Sequence, residues 1–254
     1  MRRVWMYIFL LCAIGSMNAQ EVLILPFDAD SLTSEQKAQK PVYIAYPAAL
    51  KDEVPAMRCE PKEPVDLGLP SGLKWATCNI GAESPEDYGY YFAWGEVEPD
   101  SSYNWPDYKW CKGKQKTFTK YCTCPDEGTV DNKTVLDEVD DAAVVNWGGS
   151  WRMPTEEEMR ELVDNCTWTW TSQNGVEGSL ATGPNGNSIF FPVGGYKLFD
   201  RLEGAESGFY YSKSLQILSY CSSYHAINLQ VMSSRTGVGG CTRMNGTAIR
   251  PVCP

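Results

Sequence analysis

The chain has 254 residues, of which 32 are acidic and 22 are lysine or arginine, so its formal charge at pH 7 is −10. Phosphate backbones repel a chain this acidic, and we therefore expect no nucleic-acid binding. The length suits one large domain with a small appendage and is ample for a buried core.

The N-terminus is typical of an export signal. Arg2 and Arg3 precede an apolar run, Val4–Ile14, and small or polar residues continue as far as Ala19. This pattern predicts a signal peptide over residues 1–19 and a secreted or outer-surface protein. The run is shorter than the roughly 20 residues that span a bilayer, although an uncleaved anchor remains the alternative. No later stretch is long and apolar enough to be a transmembrane segment.

The cysteines and the single histidine limit the metal chemistry. Removal of Cys12 with the signal peptide would leave nine of the ten cysteines, an odd number that does not match a small disulfide scaffold. We expect one or two disulfides and several buried free thiols. Because His225 is the only histidine, a zinc site could not contain two of them.

Residues 20–62 differ in composition from the C-terminal part of the chain. They contain five prolines and no tryptophan, which argues against an independently packed unit. Two short apolar runs, Val22–Leu25 and Val42–Ala45, are predicted strands. We interpret this segment as a proline-containing N-terminal stalk or spacer.

The main domain is predicted over residues 63–254. Leu67–Trp75 reads as two short strands joined by a turn, and Tyr88–Trp94 as an aromatic strand. A loop-rich stretch, 96–128, holds Trp105 and Trp110. Their rings could form a sugar-stacking platform, but packing beneath an irregular surface is the commoner use of tryptophan and is favoured.

Two helices are predicted in the middle of the chain. The first covers Leu136–Asn146, with Leu136, Val139 and Ala143 on one face. The second starts at a capping box formed by Thr155 and Glu158. Its apolar stripe consists of Met159, Leu162, Val163 and Cys166.

Short strands dominate the remainder, which makes the fold class α+β rather than a βαβ repeat. The predicted strands are Ser188–Pro192, Gly208–Ser212, Ala226–Val231 and Ala248–Val252.

The last quarter of the chain differs from the acidic remainder. From Ser207 onward it has no acidic residue and is rich in Tyr, Ser, Asn and Gly, a mixture that adaptable binding surfaces use. An ordinary set of edge strands would have a similar composition. As ligand contacts on this surface we predict Tyr210, Tyr211, Tyr220, Tyr224, Asn228 and Arg243.

Several segments resemble a known family. Val65–Ala82, Asp140–Ala143, Asn146–Thr155 and Ile249–Val252 are similar to landmarks of the Fibrobacter succinogenes major paralogous domain, found in exported proteins of Bacteroides-type gut bacteria. The resemblance covers about residues 63–254. It implies a C-type-lectin-like fold, related to formylglycine-generating enzymes, with a mixed or antiparallel sheet, two helices, long ordered loops and a ligand face near the C-terminus.

An acidic run offers the best metal candidates. Asp131, Asp137, Asp140 and Asp141 carry the hard oxygen donors that calcium prefers, so a structural calcium ion is one interpretation. The alternative is that Asp137 and Glu138 stabilise the N-terminus of a helix. We expect no other cofactor.

The sequence contains no motif that assembles catalytic groups: no Gly-x-Ser-x-Gly elbow, phosphate loop, dinucleotide fingerprint or His-Glu-x-x-His. We therefore predict a non-catalytic binding or adhesion module that recognises a glycan or protein ligand on a cell surface. The alternatives are a divergent secreted hydrolase that uses acidic residues and a structural subunit of a surface assembly.

Overall fold

The computed structural model describes residues 63–218 and 222–254. The predicted signal peptide over 1–19, the stalk over 20–62 with its strands Val22–Leu25 and Val42–Ala45, and Tyr220 lie outside the described residues. Within the described part of the chain, no helix is long and apolar enough to cross a bilayer.

The described residues form a mostly β structure with four small antiparallel sheets and two α-helices, in agreement with the predicted α+β class. The strands are β1 (Pro64–Asp66), β2 (Lys74–Ala76), β3 (Thr167–Gln173), β4 (Val176–Thr182), β5 (Ser188–Pro192), β6 (Tyr196–Leu198), β7 (Arg201–Glu203), β8 (Ser207–Leu215), β9 (His225–Met232), β10 (Arg235–Thr242) and β11 (Val252–Cys253). The order of strands in the three larger sheets is β1-β2-β11, β10-β9-β8 and β3-β4-β5, and β6 pairs with β7 in the fourth.

Two of the strand predictions were wrong in extent. In Tyr88–Trp94 only Phe92 forms a β-bridge, to Thr247, because glycines with positive φ at Gly89 and Gly95 turn the backbone on either side. In Ala248–Val252 only the last residue belongs to a strand.

The turn predicted within Leu67–Trp75 is present, and the Gly72 N–H donates to the Leu69 carbonyl over 2.9 Å. It joins β1 and β2, which pair antiparallel, but β1 ends at Asp66, so the first of the two predicted strands lies before this segment and not within it.

The second predicted helix is confirmed as α2 (Glu156–Asn165). The Thr155 side chain accepts from the Glu158 N–H, and the Glu158 carboxylate accepts from the Thr155 N–H over 2.8 Å. Arg152 forms an ion pair with the same carboxylate, which joins the cap to the preceding turn. Met159 and Leu162 are buried, so the predicted stripe faces the core.

The first predicted helix begins later than expected. A 3₁₀ turn covers Glu138–Asp140, and α1 runs only over Ala142–Trp147. The change of helix type at Asp141 breaks the 3.6-residue period. Val139 is consequently 71 % exposed instead of lying on the buried face with Leu136.

Strand β8 separates two hydrophobic cores. Tyr210 belongs to the first, together with Trp75 and Phe191, whereas Tyr211 belongs to the second, together with Trp94. Because successive side chains of a strand point to opposite faces, β8 is buried on both sides.

A third, aromatic cluster lies under the long loop between β2 and α1. Its buried members are Tyr91, Ala93, Tyr103, Tyr108, Phe118 and Cys122. This cluster gives the loop an apolar base, in keeping with the long loops that we predicted.

Among the described cysteines, Cys124 is disulfide-bonded. The others are free: Cys78, Cys111, Cys122, Cys166, Cys241 and Cys253. This distribution agrees with the expectation of few bridges and several free thiols.

Candidate functional site

Three of the six predicted contact residues are buried in β8 and β9. Tyr210, Tyr211 and Asn228 have at most 1 % of their surface exposed. The Tyr210 hydroxyl donates to the Pro192 carbonyl, and the Tyr211 hydroxyl donates to the Thr242 carbonyl over 2.7 Å. The prediction that these side chains contact a ligand was wrong, because β8 is buried on both faces.

Arg243 is also buried, and its predicted role as a ligand contact was wrong. Its guanidinium donates to the Tyr108 hydroxyl over 2.7 Å and to the carbonyls of Tyr121, Lys120 and Ser223. The same group lies over the rings of Trp94, Tyr108 and Phe118. Arg243 therefore holds the long loop from below.

Tyr224 is the one predicted contact residue that the structure describes with a partly exposed side chain. Its ring packs edge-to-face on Trp105 and Phe118, with centroid distances of 5.9 Å and 5.5 Å. Trp105 is itself half-buried and packs on Tyr108 and Phe118. Three aromatic neighbours thus fix the Trp105 ring while part of it stays in contact with solvent.

Beside this aromatic pair lies a depression, here called the acidic hollow, which is too shallow to enclose a water molecule. It is lined by Ala93, Glu96, Asp100, Ser102, Tyr103, Asn104, Asp107, Tyr108 and Met244. Trp105 does not line the hollow itself, but it follows Asn104, which does, and it packs on Tyr108, which is buried.

The loop that carries the hollow is fixed by its own hydrogen bonds. The Asn104 side chain accepts from the Asp107 N–H over 3.0 Å and donates to the Asp107 carboxylate over 2.6 Å. The Tyr103 hydroxyl donates to the Tyr91 carbonyl over 2.6 Å and accepts from the Asp100 N–H. The polar groups of the hollow are therefore held in place before any ligand arrives.

Glu96 is the most perturbed carboxyl group of the hollow. Burial raises its pKa above the ordinary value, and the nearby Asp100 and Asp107 raise it further. The Lys109 N–H donates to its Oε1 over 2.8 Å and acts in the opposite direction. Glu96 therefore takes up a proton more readily than an exposed glutamate.

The β6–β7 hairpin adjoins the hollow through its tip. Phe199 exchanges two backbone hydrogen bonds with Tyr103, at 2.8 Å and 2.9 Å. Its φ of 55° lies in the left-handed region, and 55 % of its side chain is exposed. A bulky residue in this conformation is strained, and here the pairing with Tyr103 holds it.

The four calcium candidates are all bonded to groups of the protein itself. The Lys120 Nζ lies 2.6 Å from a carboxylate oxygen of both Asp137 and Asp140, where it supplies the positive charge itself. Hydrogen bonds from Lys120 and Lys133 lower the pKa of Asp137.

The two remaining candidates also serve the protein's own backbone. Asp131 accepts the N–H groups of Tyr121 and Cys122, and Asp141 caps α1 and pairs with Lys213. In the described part of the chain, no group of three or more His, Cys, Asp or Glu side chains is placed to hold a metal. Glu138, which we expected to stabilise a helix start, lies in the first turn of the 3₁₀ helix, whereas the Asp137 side chain makes no capping hydrogen bond there.

The carboxylates of the hollow were not among the predicted site residues. A signal for them was present, since Glu96, Asp100 and Asp107 lie in the same loop as Trp105. The Asn104-x-x-Asp107 spacing is also typical of a side-chain-capped turn that fixes such a loop.

Comparison with known proteins gives no relative. The chain matches no family model, no curated protein and no solved structure.

Proposed function

We propose that this protein is an exported, non-catalytic binding module that holds a glycan at the acidic hollow and its aromatic flank. The observation that carries the proposal is the position of a partly exposed, rigidly packed Trp105 next to a preorganised set of carboxylate, amide and hydroxyl groups.

The chemistry of the two parts suits a sugar. The flat face of an indole ring packs against the C–H face of a pyranose ring. Tryptophan buries a large apolar area in such a contact and loses little side-chain freedom. Carboxylate and amide oxygens such as those of Asp107 and Asn104 accept hydrogen bonds from hydroxyl groups, and bonds to a charged acceptor are the stronger kind. Tyr224 stays in the proposal as a flanking contact.

We also infer that residues 63–254 form a C-type-lectin-like domain of the Fibrobacter succinogenes major paralogous type. The segments that carry the resemblance contact one another, which supports this. Arg152 exchanges backbone hydrogen bonds with Val252 over 3.0 Å and 2.9 Å. The Asp141 carboxylate accepts from the Met153 N–H over 3.1 Å.

A hydrolase that uses acidic residues fits the hollow less well. Acid–base catalysis is favoured in an enclosed cleft that excludes water, whereas the hollow is too shallow to enclose even one water molecule. An open surface of this kind suits contact with one face of a ligand better than cleavage of that ligand.

The test is a glycan array probed with the wild-type chain, followed by calorimetry on the strongest ligand. We expect Trp105→Ala and Asp107→Asn each to weaken binding at least about tenfold, equivalent to about 1.4 kcal/mol. Asp164→Asn, which removes an exposed carboxylate from α2, is the matched control and should bind like wild type. Thermal unfolding of each variant separates loss of binding from loss of folding. Full binding by a folded Trp105→Ala/Asp107→Asn double variant would remove the proposal.

A further inference from the structure

The β3–β4 hairpin turns at Asn174 and Gly175, here called the hairpin tip, and both residues are exposed. Their φ angles of 50° and 83° suit the tight two-residue turn that an Asn-Gly pair forms readily. Asn-Gly is also a reactive pair, because glycine has no Cβ to keep its backbone nitrogen away from the preceding side-chain amide. The residues that make the turn therefore also expose a group that can change chemically.

The sequence contains two more Asn-Gly pairs, which serve as comparisons. At Asn185–Gly186, the Gly186 N–H donates to the Gly183 carbonyl over 3.0 Å. The Asn185 side chain donates to the Asp66 carbonyl over 2.8 Å and accepts from the Asn187 N–H over 3.0 Å. Both the glycine nitrogen and the side-chain amide of this pair are therefore held by the fold.

The third pair, Asn245–Gly246, is buried. Its glycine N–H donates to the Lys197 carbonyl over 2.9 Å, and the Asn245 N–H donates to the Thr242 carbonyl, also over 2.9 Å. Burial limits the access of water to this pair, and the backbone bond occupies the glycine nitrogen.

The hairpin tip lacks these restraints. Within the described residues, the Gly175 N–H has no acceptor, and the Asn174 side chain makes a single hydrogen bond, to Glu86 Oε1. A nitrogen whose proton is not engaged can lose it to solvent and attack without first breaking a hydrogen bond. The end of a hairpin also opens locally at small cost, which lets this nitrogen approach the side chain.

We propose that Asn174 is a site of spontaneous deamidation, and that the reaction detaches the hairpin tip from Glu86. The Gly175 nitrogen loses its proton to water and attacks Asn174 Cγ. The N–Cγ bond forms, the Cγ–Nδ2 bond breaks, and the amide nitrogen leaves as ammonia. One water molecule then opens the cyclic imide. Cleavage of the new N–Cγ bond gives aspartate, and cleavage between the carbonyl carbon of residue 174 and the Gly175 nitrogen gives isoaspartate.

The product changes the contact with Glu86. In the unmodified chain, the side-chain amides of Asn174 and Gln173 both donate to the Glu86 carboxylate, which connects the hairpin to the loop between β2 and α1. A carboxylate at position 174 accepts hydrogen bonds and donates none, so it repels Glu86 instead. Isoaspartate also lengthens the backbone of the turn, which disturbs the register that the turn sets for β3 and β4.

The test incubates the purified full chain at mildly alkaline pH and follows the three Asn-Gly pairs by peptide mapping with mass spectrometry. We expect deamidation of Asn174 to be at least about tenfold faster than that of Asn185 or Asn245. A parallel incubation in urea removes the fold, and there the three rates should lie close together. Equal rates in the folded chain, or the same difference in urea, would overturn the proposal.

The consequence for the hairpin is measured on the deamidated fraction, which carries an additional negative charge and separates by anion exchange. Hydrogen exchange of the amides in residues 172–177 should become faster in this fraction, while exchange in the buried strand β9 should stay the same. Asn174→Asp reproduces the aspartate product and should behave in the same way. Unchanged exchange near the tip in both samples would refute the loss of attachment. The hairpin tip does not line the acidic hollow, so these results are independent of the glycan proposal.

Discussion

Replacing Arg243 by alanine tests the conclusion that this residue supports the long loop from within. The substitution removes a guanidinium that satisfies one hydroxyl and three carbonyl groups in the interior. Each buried acceptor left without a partner costs about 1–3 kcal/mol, and water that enters the cavity can satisfy some of them. We therefore expect a loss of about 4 kcal/mol in the free energy of unfolding, a large part of the usual total of about 5–15 kcal/mol.

Urea unfolding followed by tryptophan fluorescence measures this loss directly, since Trp94 lies against the guanidinium. For a domain of this size, the midpoint of thermal unfolding should fall by about 8–16 °C. Arg160→Ala is the matched control, because its ion pair with Glu156 is exposed and contributes about 0.2–0.5 kcal/mol. A folded Arg243→Ala chain that loses less than about 1 kcal/mol would contradict the supporting role.

Three further predictions concern stability. Thr155→Ala removes the cap of α2 and should cost about 1 kcal/mol in urea unfolding; no change would mean that the capping box in the structure contributes nothing. Burial raises the pKa of Glu96, so folding favours the protonated form of this side chain. The resulting gain in stability is present at low pH and is lost as the pH rises through the folded-state pKa of Glu96. Glu96→Gln should therefore raise the free energy of unfolding at pH 7, and this gain should disappear below pH 4.5, the ordinary pKa of a glutamate. An equal gain at pH 7 and below pH 4.5 would refute this reasoning. Since Lys120 supplies the cation between Asp137 and Asp140, a calcium chelator should leave the unfolding midpoint unchanged, whereas a clear decrease would restore the calcium interpretation.

Local signals in the sequence predicted local structure well. The capping box of α2 depends on two side chains three residues apart, so it can be read without knowledge of the tertiary fold. The β3–β4 hairpin carried an equally local signal that we did not use. Asn174 and Gly175 both have positive φ, and Asn-Gly between alternating residues is the strongest short hairpin signal.

The ligand surface was harder to predict because burial depends on distant segments. A Tyr-, Ser- and Asn-rich strand has the same composition whether its hydroxyls face solvent or backbone carbonyls. In β8 they face carbonyls, since Tyr210 bonds to Pro192 and Tyr211 to Thr242. No spacing within residues 207–254 indicates that both faces of this strand are covered.

The acidic hollow depends on the same kind of long-range information. Its loop is held from below by Arg243, which lies 135 residues away from Tyr108 in the sequence. The sequence contains a loop with two tryptophans, for which a sugar-stacking platform was one of two interpretations. Only the folded chain shows which ring stays partly exposed and which carboxylates lie beside it.

Glycan binding at Trp105 can be tested at the ring itself by ¹⁹F NMR on the chain labelled with 5-fluorotryptophan, titrated with the glycan that binds most strongly. The resonance of Trp105, assigned by its disappearance in Trp105→Phe, should show the largest shift on saturation. The resonance of Trp75, which is buried in the first core, should stay in place. Saturable binding that leaves the Trp105 resonance unmoved would contradict the proposed function and place the ligand elsewhere on the protein.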